Sequence, residues 1–223
     1  MLIVRKELRG RGIGRRLLDE GIGYLQSRGA GSIQLDGVPP AVPLYERLGF
    51  RRHCRSLRFR GTIRGERHPN VRPMADADLD VVCALDREAL GADRSFFIRR
   101  RVRLFSHLCR VYEEDGRVTG FTLGRCGVDS RGDWSAAGPL LPADDAGSAE
   151  ALLRSLPEPG EQMTLNVSVL DTCRAATDLL DRLGFAQRRD PPWRMVLTPE
   201  GPGAAGNAGL SPRFWAVGPA AKG

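Results

Sequence analysis

The apolar positions of the chain switch between a helical and an alternating rhythm, and each switch marks an element. Leu2, Ile3 and Val4 form an apolar segment that predicts a short strand. The polar stretch Arg9-Gly10-Arg11-Gly12 interrupts it, and Ile13, Leu17, Leu18, Ile22 and Leu25 then recur at helical spacing. That spacing predicts a helix over about 13–28, stopped by Gly29-Ala30-Gly31. Ser32–Asp36 alternates as a strand does. Gly37 and Pro39-Pro40 make a loop, Ala41–Leu48 a short helix closed by Gly49, and Phe50 leads a strand through about Phe59.

Residues 61–69 are polar and Gly/Pro-containing, and predict a linker. A new run opens at Val71–Met74 with a short strand, an acidic helix start at Asp76 and Asp78, and the amphipathic set Leu79, Val82, Cys83 and Leu85. A second helix is expected over about 94–105, followed by the strand Leu108–Glu113. The turn Asp115-Gly116 joins that strand to Val118–Arg125 as a hairpin. Further strands are expected at Trp134–Leu141 and Met163–Val169, with helices at Ala149–Leu156 and Thr172–Leu183. From Thr198 to Pro212 the chain is rich in Gly, Ala and Pro, which predicts a mobile tail. Arg213–Val217 is apolar enough either to dock as a last strand on the second sheet or to stay unattached.

The order repeats. Leu44-Tyr45-Glu46-Arg47-Leu48-Gly49-Phe50 aligns with Leu179-Leu180-Asp181-Arg182-Leu183-Gly184-Phe185, each a short helix whose final glycine turns into an aromatic-led strand. The expected division is therefore 1–60, a linker at 61–69, a second unit at 70–198 and a tail at 199–223.

Charge sharpens this picture. The net charge is +7, but residues 1–70 alone carry +9, from 15 Arg/Lys against 6 Asp/Glu, and the rest carries −2. A basic first third suits a polyanion. It contains no helix-turn-helix, zinc-finger or aromatic-basic signature, so nucleic acid is the weaker partner, its support being the arginine-rich stretch 51–67. Cys54, Cys83, Cys109, Cys126 and Cys173 are odd in number and scattered, and His53, His68 and His107 lack ligand spacing. No disulfide framework and no metal are expected. There is no apolar run long enough to span a membrane and no leader pattern, so the cytoplasm is the expected location.

Strand, basic Gly-rich turn and helix together suit a pyrophosphate. Glycines let the backbone approach the anion, and the first helical N–H groups and the dipole favour negative charge. The dinucleotide spacing Gly-x-Gly-x-x-Gly and the Gly-Lys-Ser/Thr of a P-loop are both missing. The order Arg9-x-x-Gly12-x-Gly14 resembles the acyl-CoA signature of the GNAT superfamily of N-acetyltransferases. The stretch Ala41–Phe50 (AVPLYERLGF) resembles that family's second signature, a short helix ending in Tyr-x-x-Leu-Gly-Phe.

The resemblance implies an α/β fold with a mixed sheet, the GNAT-type acyl-CoA N-acyltransferase fold, in two tandem units of which the first is incomplete. It implies acetyl-CoA as cosubstrate, no covalent enzyme intermediate, and a primary amine of a small molecule or protein as acceptor. By resemblance, the strand ending near Val4 pairs with the pantetheine arm. The backbone of Arg9, Gly10, Arg11, Gly12, Ile13, Gly14 and Arg15 cradles the pyrophosphate, and Tyr45 protonates the departing thiolate. Packing is the competing role for Tyr45. The family's Asn seven residues before this Tyr is Val38 here, and Glu7 is a solvated strand-end charge, so no general base is named. The second unit has Pro142-Ala143-Asp144-Asp145 where the turn would be and Leu180 in place of the tyrosine, which reads as non-catalytic. An open half-sheet also exposes an edge and a helix face, which predicts self-association as a homodimer. The alternative is a truncated, non-catalytic CoA-binding, dimerisation or regulatory module.

Overall fold

The computed structural model describes residues 3–129, 132–143, 145–198 and 215–216. Two compact units are present, and neither is a continuous piece of chain. One takes residues up to Ser56 together with 190–198, and the other takes Leu57–Arg189 with 215–216.

The first unit contains helix α1 (Ile13–Ser27), strand β1 (Ile33–Gly37), helix α2 (Val42–Glu46) and the start of strand β2 (Arg51–Arg64). Its last strand, β9 (Trp193–Leu197), comes from the far end of the sequence and lies between the other two, antiparallel to both. Trp193, Met195 and Leu197 alternate on one face of β9. They meet Ile33 and Leu35 of β1 in a small core around Val42, Phe50 and Met195, against which Ile22 of α1 also packs. On the other face Arg194 lies opposite Asp36 in the register, and the two form an ion pair of 2.8 Å.

The second unit runs β3 (Val71–Pro73), α3 (Leu79–Leu90), α4 (Ser95–Phe105), β4 (Cys109–Glu114), β5 (Arg117–Asp129), β6 (Gly132–Leu141), α5 (Ala146–Arg154), β7 (Gln162–Leu170), α6 (Arg174–Arg182) and β8 (Ala186–Gln187). Its strand order is β3-β4-β5-β6-β7-β2-β8, with β6 and β7 parallel at Ser135–Ala137 against Leu165–Val167. Its core is far larger, and includes Phe59 and Ile63 of β2, Leu152 and Leu153 of α5, and Leu179, Leu180 and Phe185.

The expected helices and strands of the second unit all form, within a few residues of their expected ends, and so do the helix over 13–27 and the strand of β1. Both copies of the repeat close on one bonding pattern. Gly49 and Gly184 adopt φ +87° and +75°; Phe50 donates to the Tyr45 carbonyl at 3.1 Å, and Phe185 to the Leu180 carbonyl at 2.9 Å. Such paired left-handed helix endings need glycine.

Three boundaries differ from expectation. Residues 61–64 belong to β2, because Leu57, Phe59 and Ile63 alternate inward and the Phe185 ring takes the space a Cβ at Gly61 would fill. Residues 190–198, expected in the second unit, build the first, since the apolar face of β9 matches that of β1. Residues 3–5 form no strand, because no strand pairs with them among the described residues, and an unpaired extended segment has no ladder to hold it. The stretch expected as a tail, Thr198–Pro212, and most of Arg213–Val217 lie outside the described residues, save Thr198. Trp215 and Ala216 do dock on the second unit, exchanging backbone bonds of 3.0–3.2 Å with Leu140 of β6.

Candidate functional site

Residues 9–15 form an exposed turn that enters α1. Gly10 and Gly12 both lie in the left-handed region, at φ +78° and +75°, with open space where a Cβ would point. An L-side chain there is strained by roughly 1–2 kcal/mol. Gly12 is the N-cap of α1 and supplies no side-chain cap, while its carbonyl accepts from Arg16 at 3.0 Å. The first N–H groups of the helix, at Ile13, Gly14 and Arg15, precede that first helical bond and face outward for an acceptor. Arg9, Arg11 and Arg15 belong to the same segment and are all exposed, and Arg15 lies 3.6 Å from the Asp19 carboxylate one turn on. Arg9 also donates from Nε to the Val4 carbonyl at 3.1 Å, which ties the preceding segment to the turn. Gly14 lies 3.5 Å from the Val4 side chain, measured to where its Cβ would be. Uncapped amides, a helix dipole and basic residues with no acid in the first turn are chemistry suited to an anion.

Tyr45 sits in α2. Its ring meets Phe50 edge-on, with centroids 6.0 Å apart, and lies against Gly37 at the end of β1. A Cβ on Gly37 would come within 3.0 Å of both the Tyr45 ring and the Met195 sulfur, so the tyrosine is seated by the absence of a side chain there. Burial raises the Tyr45 hydroxyl above its ordinary value of about 10, which keeps the phenol protonated at neutral pH. Among the described residues, no hydrogen bond, ion pair or ring contact joins Tyr45 to the turn; Ile22 of α1 and Tyr45 share one core. Val38 is exposed, and Glu7 is an exposed residue of a short 3-10 turn, Lys6–Leu8.

Sequence reasoning missed the polar support beneath this site. Asp36 accepts from Arg194 at 2.8 Å and from the Ser56 hydroxyl at 3.0 Å, and Ser56 and Arg194 are buried. Asp36 directly precedes Gly37, so this network fixes the strand end that seats Tyr45. An acid in a strand was visible; its partner, 158 residues away, was not.

The second unit closes the corresponding place. Its helix α5 is capped by Asp145, whose carboxylate accepts from the Ser148 N–H at 2.7 Å. Leu180 stands where Tyr45 does, and is 2% exposed.

A helix, a strand and a short helix ending in Leu-Gly-Phe occur twice, and the second unit adds a mixed sheet with β6 and β7 parallel, an α/β arrangement. A model described as acetyltransferase (GNAT) domain matches residues 82–207, more than half of the chain, and a second model of the same description matches residues 1–64. The chain belongs to the GNAT acetyltransferase family, with two GNAT units of which the first is short. Among solved structures it resembles a Pyrococcus horikoshii protein assigned as an acetyltransferase, at 23% identity over 99% of this chain and 69% of that one, with a TM-score of 0.71. A GCN5-related N-acetyltransferase from Sphaerobacter thermophilus shares 20% identity over 89% and 72% of the two chains, with a TM-score of 0.54. At these identities the likeness is one of fold. No curated protein matches the chain.

Proposed function

We propose that this chain transfers an acetyl group from acetyl-CoA to a primary amine of a small molecule or protein, with the cosubstrate held by the first unit. The observation that carries this reading is the uncapped, glycine-led start of α1 in a segment with exposed Arg9, Arg11 and Arg15. Backbone N–H groups of the turn take the pyrophosphate, and the arginines add charge-assisted donors. Bound acetyl-CoA supplies an activated thioester. Tyr45 holds a proton that its surroundings keep in place, and is the acid available to a thiolate leaving group. Among the described residues no group of His, Cys, Asp and Glu is arranged to hold a metal, and no helix is long and apolar enough to cross a membrane. The buried thiols Cys83 and Cys109 support placing the chain in the reducing cytoplasm. Exposed Leu17, Tyr24 and Leu25 on α1 support self-association.

Calorimetric titration of acetyl-CoA into the full chain, beside Gly12→Asp, tests the reading. The variant adds a negative charge and a strained φ where the phosphate would sit, and a loss of affinity of about 100-fold or more is expected, roughly 2.7 kcal/mol. Absence of binding by a folded wild-type chain would sink the proposal. A second reading, a CoA-binding module without catalysis, is favoured by the lack of strand pairing at residues 3–5. It predicts saturable binding with no thiol release across a panel of amines.

A further inference from the structure

Strand β9 grips the end of β1 from both faces, and Tyr45 rests against that end. Consecutive residues of a strand point to opposite faces, so Arg194 and Met195 act on opposite sides. On one side Arg194 pairs with Asp36 at 2.8 Å, and their side chains are only 8% and 11% exposed. On the other side Met195 is fully buried. Its sulfur lies 3.0 Å from where a Cβ on Gly37 would stand, and so does the Tyr45 ring. The φ of Gly37 is not positive, so no turn or cap requires glycine there. The glycine is explained by space: the ring and the sulfur approach β1 too closely for a side chain.

Helix α2 does little to hold the ring by itself. It has five residues and no side-chain cap, and a helix that short is not stable alone. The Glu46–Arg52 pair that ties it to β2 is exposed on both sides, where an ion pair contributes little. The ring is therefore located by what it touches, which is Phe50 edge-on and the Gly37 end of β1. That end in turn is fixed by β9, through the Arg194–Asp36 pair and the register Gly37 opposite Trp193.

We infer that Arg194 and Met195 are positioning residues for Tyr45: Arg194 fixes the β1 end through Asp36, Met195 packs beside Gly37, and both act through that seat. The acid of the first unit is thereby set by a strand that follows the whole second unit in sequence. This rests on the reading of Tyr45 as the acid for the leaving thiolate. In that step the amine nitrogen forms the C–N bond and the C–S electron pair leaves with the sulfur. Tyr45 gives its Oη proton to that sulfur, the amine releases a proton to solvent, and solvent returns one to Tyr45. Such a transfer needs hydrogen-bond reach, and a misplacement of about 1 Å costs on the order of 100-fold in rate.

The test uses the full chain as wild type, Gly37→Ala, Met195→Leu and Arg194→Lys, each also on a Tyr45→Phe background, with folding checked by circular dichroism. Met195→Leu conserves volume and keeps the test open if Arg194→Lys unfolds. Ultraviolet absorbance reads tyrosine ionisation, and the difference from Tyr45→Phe isolates Tyr45. Wild-type Tyr45 should ionise above the ordinary value of about 10, because it is half-buried. Each substitution loosens the seat, exposes the ring and should bring that ionisation down towards 10. In thiol release from acetyl-CoA, with putrescine or a lysine peptide as acceptor, kcat should fall about tenfold while KM for acetyl-CoA stays within about twofold. On the Tyr45→Phe background the same substitutions should change kcat by less than about twofold. A Tyr45 ionisation unmoved in every folded variant would overturn the proposal, as would an equal fall in kcat with and without the Tyr45 hydroxyl. A wild-type chain that binds no acetyl-CoA, while the ionisation still moves in the variants, would sink the acetyl-transfer reading and still support β9 as the seat of Tyr45.

Discussion

The two helix starts, one at α1 and one at α5, occupy the same place in the repeat and have opposite chemistry. Before α1 the chain supplies Gly10 and Gly12 at positive φ, no side-chain cap and three exposed arginines. Before α5 it supplies Asp145, whose carboxylate takes the Ser148 N–H that an anion would need. The strand β6 feeding α5 is bonded at Leu140 by Trp215 and Ala216 of the chain's own tail. The helices differ as well: α1 buries no residue, while α5 buries five. One junction is open to a ligand and held loosely; the other is satisfied internally and built into a core. A helix start can serve an anion or its own fold, because the same N–H groups serve both.

The most severe way to break the contrast lies in the support of the open copy. Arg194→Met takes the guanidinium away from the largely enclosed Asp36 carboxylate. A loss of about 3–5 kcal/mol is expected in the first unit, which has little core to absorb it. Hydrogen exchange should show α1, β1 and β9 opening together while α5 and α6 stay protected. Protection that falls equally in both units would show that the pair does not hold the first unit alone.

Acid separates the copies next. Arg72 bonding, with the Ala75 N–H adding to it, holds the Asp78 carboxyl below the usual carboxylate range. The Ser148 N–H does the same for Asp145. Both folded values lie below the unfolded one of about 3.9. Their stabilisation is therefore complete above that pH and is lost as pH falls through the folded values. Amide exchange at Ala75 and Ser148 should accelerate in that acid window, and Asp78→Asn should flatten the dependence at Ala75. The start of α1, which carries no acid in its first turn, should not respond.

Removing the cap itself has the smallest effect. Asp145→Ala should cost about 1 kcal/mol in denaturant unfolding. It should not create acetyl-CoA binding, because Trp215 and Ala216 still hold Leu140. A gain of binding would show that Asp145 alone keeps the second junction closed.

Much of this contrast was legible in the residues. Gly10, Gly12 and the arginines announced a site for an anion, and the acids at 144–145 announced a junction that repels one, because both act through local backbone geometry and charge. The two Leu-Gly-Phe endings were equally plain, since each closes on carbonyls a few residues back. The continuation of β2 through Ile63 was present as alternation of Leu57, Phe59 and Ile63, but the polar residues between them suggested a linker. Residues 3–5 looked like a strand by composition and are not one, because a strand is made by its neighbour.

What the sequence determined by itself was everything set within a few residues: helix periods, glycine turns, caps and the sign of charge at each junction. Only the tertiary structure decided that β9 belongs between β1 and β2, that Asp36 meets Arg194, and that Arg101 is buried on α4. Pairing across 158 residues depends on which apolar faces match and which buried charges find partners, and those are properties of the folded chain as a whole.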